Sequence, residues 1–439
     1  MIPLLSLTFA LSATPITLDD VKKRSRDNVQ ALLSALDRTR AQAQVTEARA
    51  PLLPQVGLSL GAGYTRSGTQ IVTSTLPTGT GYETRDVDVP GQGRGNFNLS
   101  LSLNQTIIDL GRWAQLAQAG DAAEAAKGQT LDQQDASELE AVRRFYALYS
   151  AQESLKLLKQ NVTRSQDQVR LAKGLYEAGR GAKGDVISAQ INLGNDQISA
   201  IKQRATIASA QSDLAVWLAL PGTTDLEAQA PTLEDTLATP PSLDAALDTA
   251  RAHRPILKAL QSQVSAADAG VRAAKAGYWP RLTGQLAYSR NGPSFDPVFT
   301  NPSRQNVLSG SLNLQWDLFS GFATRGDVAI AQANQSTAQL NLSELEREID
   351  GTLRSALTTV QTQEEALVTA RQNLDLAREF QNVAQERYKA GAGTQLEVRD
   401  AELKLTQAEL QLLQTRTDVE VARASLARAM GTLNPGDTQ

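Results

Sequence analysis

Few residues in this chain of 439 have the chemistry or the spacing for catalysis. It has no cysteine, which excludes disulfides, thiolate metal sites, catalytic thiols and a lipidated cysteine. The single histidine, His253 in RAHRP, removes most imidazole-based metal and triad chemistry, and it reads as structural. Glu344, Glu346 and Glu348 cluster, but no nucleophile, base or phosphate loop surrounds them, so they read as a solvated helix face. GQGRG (Gly91 to Gly95) precedes a strand pattern rather than a helix, the wrong context for a nucleotide loop. The acids with the most telling positions are Asp185, Glu397 and Asp400, each just after a glycine-rich turn. There an acid interacts favourably with a helix N-terminus, and Glu397 and Asp400, three apart, share a face. Forty-three Lys and Arg against 47 Asp and Glu leave a net charge of −4, without the basic excess that nucleic-acid binding needs. No enzyme and no cofactor is expected.

The turns themselves are AGRG (Ala178 to Gly181) and AGAG (Ala390 to Gly393). Glycine there can take the left-handed conformation that ends a helix, leaving a backbone with little side chain over it. Long helices must position these turns. All 16 prolines lie outside 91–220 and 303–434, and both windows are rich in Ala, Gln, Leu, Glu and Arg. Leu131, Leu139, Val142, Phe145, Leu148, Leu155 and Leu158 form a stripe of helical period. A single helix from Arg112 to Gly179 would be about 100 Å long at 1.5 Å per residue, too long for one globular core to bury. It must pack sideways on other long helices.

Elsewhere the period changes to two. Val56, Leu58 and Leu60; Phe97, Leu99, Leu101 and Leu103; Leu282, Leu286 and Tyr288; and Leu308, Leu312, Leu314 and Trp316 alternate with small, mostly uncharged residues. Trp113, Trp316, Phe319 and Phe322 gather where strands give way to helices, as interfacial anchors would. No apolar run is long enough for a spanning helix, so any membrane crossing must use strands. The start, MIPLLSLTFALSA, predicts a signal peptide over 1–13, although it lacks the usual basic residues.

The sequence also repeats. Tyr176 to Gln190 aligns with Tyr388 to Glu402, Leu18-Asp19 with Leu243-Asp244, and Ala48 to Pro54 with Ala274 to Pro280. Gln105 to Gly111 pairs with Gln315 to Gly321 after a one-residue slip of phase, for which a bulge is one explanation. The first repeat, 14–230, is expected to hold a helix, strands at about 55–66 and 95–107, a long helix at about 112–178 and a helix at about 184–219. The second, 231–439, holds the counterparts: strands at about 281–290 and 306–318, a long helix at about 322–390 and a helix at about 394–430. Four strands cannot close a barrel, and open edges cannot face lipid, so closure calls for several chains; three would give twelve strands.

With Leu18-Asp19-Asp20, Pro54 and Pro280, the corners at Gly111 and Gly321, both Tyr-x-Ala-Gly turns and the closing MGTLNPGD (Met430 to Asp437), the chain resembles the TolC-type outer-membrane efflux protein family. The resemblance implies a mixed fold, with long α-helical hairpins forming a periplasmic tunnel and four strands per chain entering a homotrimeric 12-stranded barrel in the outer membrane of a Gram-negative bacterium. It implies a passive exit duct for efflux or type I secretion, partnered by a periplasmic adaptor, an inner-membrane transporter and outer-membrane lipid. Ala178, Gly179, Ala390 and Gly391 would dock the adaptor, while Asp185, Glu397 and Asp400 would line the entrance as rings of like charge that attract cations. Tyr176 and Tyr388 match the aromatic half of a latch whose basic half falls on Gly393; Arg180 and Arg399 are near but out of register. Segments 67–94 and 291–305 would be exterior loops, and 221–241, with Asp225, Glu227, Glu234 and Asp235, part of a belt around the tunnel. The rival reading is a non-membrane coiled-coil scaffold or filament, which leaves the paired strand segments unexplained.

Overall fold

A computed structural model describes residues 14–231, 240–300 and 306–433. The expected signal peptide at 1–13, Glu234 and Asp235, the end of the 291–305 segment and residues 434–437 of the closing motif lie outside the described residues. The chain divides into two compact units, one made of residues up to Arg40, Glu124–Ser262 and Leu340 onward, the other of Ala41–Ala123 and Gln263–Gln339.

The second unit is built on an antiparallel sheet of β2 (Gln55–Arg66), β5 (Gly93–Ile108), β7 (Arg281–Gly292) and β8 (Asn306–Gln315), in that spatial order. Its register explains the alternation. Leu58 faces Leu101, Leu101 faces Tyr288 and Tyr288 faces Leu308, while one residue along, Ser59, Ser100 and Ser289 form the next row. Opposed residues share a face and successive ones alternate, so one face is leucine-rich and the other small and polar. Among the described residues the apolar face of this unit is left open: Leu58 is 72% exposed and Leu312 73%. The phase slip is a register shift of β5 against β7 between Thr106 and Ile108, with Ile107 the extra residue of a bulge. Strand β8 stops at Gln315 rather than near 318 because Gln315 already pairs with Arg281, where β7 begins.

The segment 67–94 is not a loop. It holds a hairpin, β3 (Gln70–Thr78) against β4 (Gly81–Val89), joined by Gly79 and Thr80. Ile71, Val72, Thr73 and Thr75 have the branched side chains that favour a pleated ribbon, which outweighs the glycine and threonine count of the segment. Thr73 Oγ1 donates to Asp86 Oδ1 at 2.7 Å across it. The described part of 291–305 carries the end of β7 and a short helix, Phe295–Phe299. The expected four strands per chain are thus the sheet alone. Among the described residues there are also the hairpin and a parallel pair, β1 (Thr14–Ile16) with β6 (Leu226–Ala228), the latter from the expected belt segment.

Besides α1 (Leu18–Arg24), α2 (Val29–Arg49), α5 (Leu243–His253), α6 (Pro255–Lys275) and α7 (Phe295–Phe299), the described residues form four long helices, which make up most of the first unit. Leu110–Glu177 is one unbroken helix, α3, of 68 residues, with its residues from 124 onward in this unit. Beside it lie α4 (Lys183–Trp217), α8 (Ala323–Lys389, from residue 340) and α9 (Gln395–Met430). The stripe on α3 buries Val142, Phe145 and Leu148 against Leu214 of α4, Leu226 and Val21. A second core joins Leu353, Leu357 and Val360 of α8 to Leu426 of α9, and a third joins Leu367 and Leu374 to Leu405 and Leu412. Much of the packing is Ala and Leu, which lets long helices run close side by side.

Candidate functional site

The two glycine turns have one architecture. Gly179 (φ 67°) and Gly391 (φ 76°) are left-handed residues that close α3 and α8. At the first, Arg180 N–H donates to Leu175 O at 2.8 Å and Gly179 N–H to Tyr176 O at 3.0 Å. At the second, Ala392 N–H donates to Arg387 O at 2.9 Å and Gly391 N–H to Tyr388 O at 3.0 Å. This is the six-to-one and five-to-two pairing that satisfies the last helical carbonyls. A Cβ built on either glycine meets nothing within 4 Å, so each turn, Ala178-Gly179 and Ala390-Gly391, exposes a nearly bare stretch of backbone. Gly393 differs: a Cβ there would lie 3.0 Å from Glu397 Oε2 and 3.1 Å from the Tyr388 nitrogen. The position of the missing basic latch residue is crowded.

The acids start the next helices. Asp185 accepts from the Ala182 N–H at 3.4 Å at the head of α4. At the head of α9, Thr394 Oγ1 accepts from the Glu397 N–H at 3.2 Å, and the Glu397 carboxylate lies 4.0 Å from Arg387. Asp400 is paired with Lys404 at 2.8 Å. The two tyrosines part company. Tyr176 is 46% exposed, whereas Tyr388 is 7% exposed, and burial first, then the charge of Asp185, push its hydroxyl above the ordinary range. The structure therefore brings Asp185 to Tyr388 and Glu397 to Arg387.

Arg399 is not an exposed latch candidate. Its guanidinium meets both oxygens of Asp196 on α4, at 2.8 and 3.0 Å, and Ser165 Oγ of α3 donates to the same carboxylate. Two to three turns along α9, Arg164 of α3 bonds Glu409 and Thr406, each at 3.1 Å. Two charged ties thus join α9 to α3 and α4 within the helical unit. The sequence reading passed over Asp196, Arg164, Glu402 and Glu409. A signal existed: Glu402 sits four residues after Val398 and three before Leu405, an acid inside an apolar stripe.

Residues 21–219 and 246–432 match the family described as outer membrane efflux protein. The chain belongs to that family. The outer membrane efflux proteins are channels, not enzymes, and this chain is accordingly an outer-membrane efflux channel protein. Outer membrane protein TolC of Salmonella enteritidis is 25% identical over 93% of this chain and 80% of its own length. Protein CyaE of Bordetella pertussis is 30% identical over 44% of this chain, a match that spans only 40% of CyaE. The fold is that of the Neisseria gonorrhoeae MtrE outer membrane channel, with a TM-score of 0.78 at 17% identity, covering 96% of this chain and 90% of that one.

Proposed function

We propose that three copies of this chain form a passive exit duct, each giving β2, β5, β7 and β8 to a twelve-stranded barrel in the outer membrane and its long helices to a periplasmic tunnel. The observation that carries this reading is the sheet: among the described residues its four strands end in unpaired edges at β2 and β8, and its leucine-rich face is exposed. Such a sheet is stable in lipid only when closed by further strands. Residues 14–230 and 231–439 are read as two copies of one ancestral half, supported by turns that close with the same pair of backbone bonds. The turns Ala178-Gly179 and Ala390-Gly391 are the docking surface for a periplasmic adaptor, itself engaged by an inner-membrane transporter that supplies the energy. Asp185, Glu397 and Asp400, with Tyr176 and Tyr388 beside them, line the periplasmic entrance.

The test is extraction and assembly. The chain is expected to leave the membrane only with detergent, to have the mass of a trimer by native mass spectrometry, and to conduct ions in planar bilayers. A detergent-free, elongated dimer would support the scaffold reading instead.

A further inference from the structure

Just after the first two turns of α9, a carboxylate sits where the helix packs. Glu402 is 3% exposed, between Val398, Ala401 and Leu405, all of them buried too. The charged groups that face it are Arg399 on its own helix, Arg164 from α3 and Asp196 from α4, and Gln168 of α3 hydrogen-bonds to it. Glu409 stands behind Arg164, and Thr406 Oγ1 lies 3.0 Å from Asn161 Oδ1. Glu402 Oε1 is buried with no hydrogen-bond partner.

The charges show what that carboxyl does. Arg399 is matched by Asp196 and Arg164 by Glu409, so with Glu402 neutral the cluster is balanced. Ionised, Glu402 adds one buried negative charge, competes for arginines already engaged, and leaves a buried oxygen without a hydrogen bond. We propose that this cluster positions the head of α9 against α3 and α4, and that ionisation of Glu402 releases it, widening the entrance as the surroundings pass from acid to alkaline. The proposal rests on the entrance reading above, with Glu402 acting through Arg399 as a positioning residue.

The direction follows from linkage. Burial raises Glu402 to about 7, although Arg399, Arg164 and the Gln168 bond oppose it and Asp196 adds to it. A carboxyl raised in the packed state favours packing fully below its ordinary value of about 4.5 and loses that contribution as pH rises through about 7.

The experiment is single-channel conductance of the full chain in planar bilayers from about pH 5.5 to 8.5, with hydrogen exchange over residues 395–409 across the same range. Wild type is expected to gain about two-fold in conductance with a midpoint near 7, and to lose at least about ten-fold in protection, corrected for the intrinsic pH effect. Glu402→Gln should hold both at their acid-side values. Asp196→Asn frees Arg399 for Glu402 and should move the midpoint down by about one pH unit. A wild type without the step, a Glu402→Gln channel that keeps it, or an Asp196→Asn midpoint that does not move would each overturn the proposal. If no pore forms, the channel reading fails by itself, and hydrogen exchange still decides the role of the cluster.

Discussion

Gly179 and Gly391, 212 residues apart, terminate their helices with the same left-handed conformation and the same two backbone bonds. Neither glycine has a neighbour that a Cβ would touch, so a substitution there meets backbone strain but no clash. Gly179→Trp and Gly391→Trp should each cost about 1–2 kcal/mol for a non-glycine residue at positive φ. The trimer should persist by native mass spectrometry, while export in a strain lacking the native chain should fall to background. Undiminished export would remove the turns from the docking surface.

The three acids proposed for the entrance are not equivalent. Lys404 lies 2.8 Å from Asp400 and offsets its charge, whereas Asp185 accepts from the Ala182 amide at 3.4 Å and lies by the uncharged Tyr388 hydroxyl. Asp185→Ala should therefore lower the cation-to-anion permeability ratio by at least about two-fold, with Asp400→Ala having the smaller effect. Lys404→Ala should raise the ratio by unmasking Asp400. Reversal potentials under a salt gradient measure all three. An Asp185→Ala channel with unchanged selectivity would mean the carboxylate does not face the pore.

Where pattern and packing coincide, the chain was legible from its sequence. The leucine alternation marks all four sheet strands because one face is apolar and the other small and polar, and the out-of-phase QTIIDLG segment is the bulge at Ile107. The proline-free windows hold α3, α4, α8 and α9 because no proline within them breaks a helix, and the turns at Gly179 and Gly391 divide each pair. The β3–β4 hairpin was missed because its glycines and threonines read as loop, while its pairing is a relation between two segments rather than a property of either. The tie between Asp196 and Arg399 was hidden for the same reason: the residues are 203 apart, and only the packing of α4 on α9 joins them. Glu402 could have been found, as an acid at a buried helical position.

The core of the helical unit offers a stability test independent of the membrane. Phe145 is fully buried and meets Tyr146 edge-on at 5.6 Å between ring centres. Phe145→Ala should cost about 3–5 kcal/mol from lost burial and the cavity it leaves. The measurement is loss of helical circular dichroism in urea. A midpoint equal to that of wild type would mean that the cluster around Phe145 contributes nothing to holding α3 and α4 together.

The two faces of the sheet should respond oppositely to one and the same charge. Leu101 lies in the row Leu58, Leu101, Tyr288 and Leu308, and its neighbour Ser100 in the row Ser59, Ser100 and Ser289. If the leucine row meets lipid, Leu101→Arg places a cation in hydrocarbon at a cost of about 2–4 kcal/mol near the midplane, and the variant should fail to insert or assemble. Ser100→Arg points the other way, into the proposed water-filled lumen, and should insert normally. It would then narrow the lumen and repel cations, lowering single-channel conductance. The pair is read by heat-modifiable migration of the trimer and by conductance. Normal insertion of Leu101→Arg together with failure of Ser100→Arg would turn the sheet inside out, and equal tolerance of both would remove the membrane from that face.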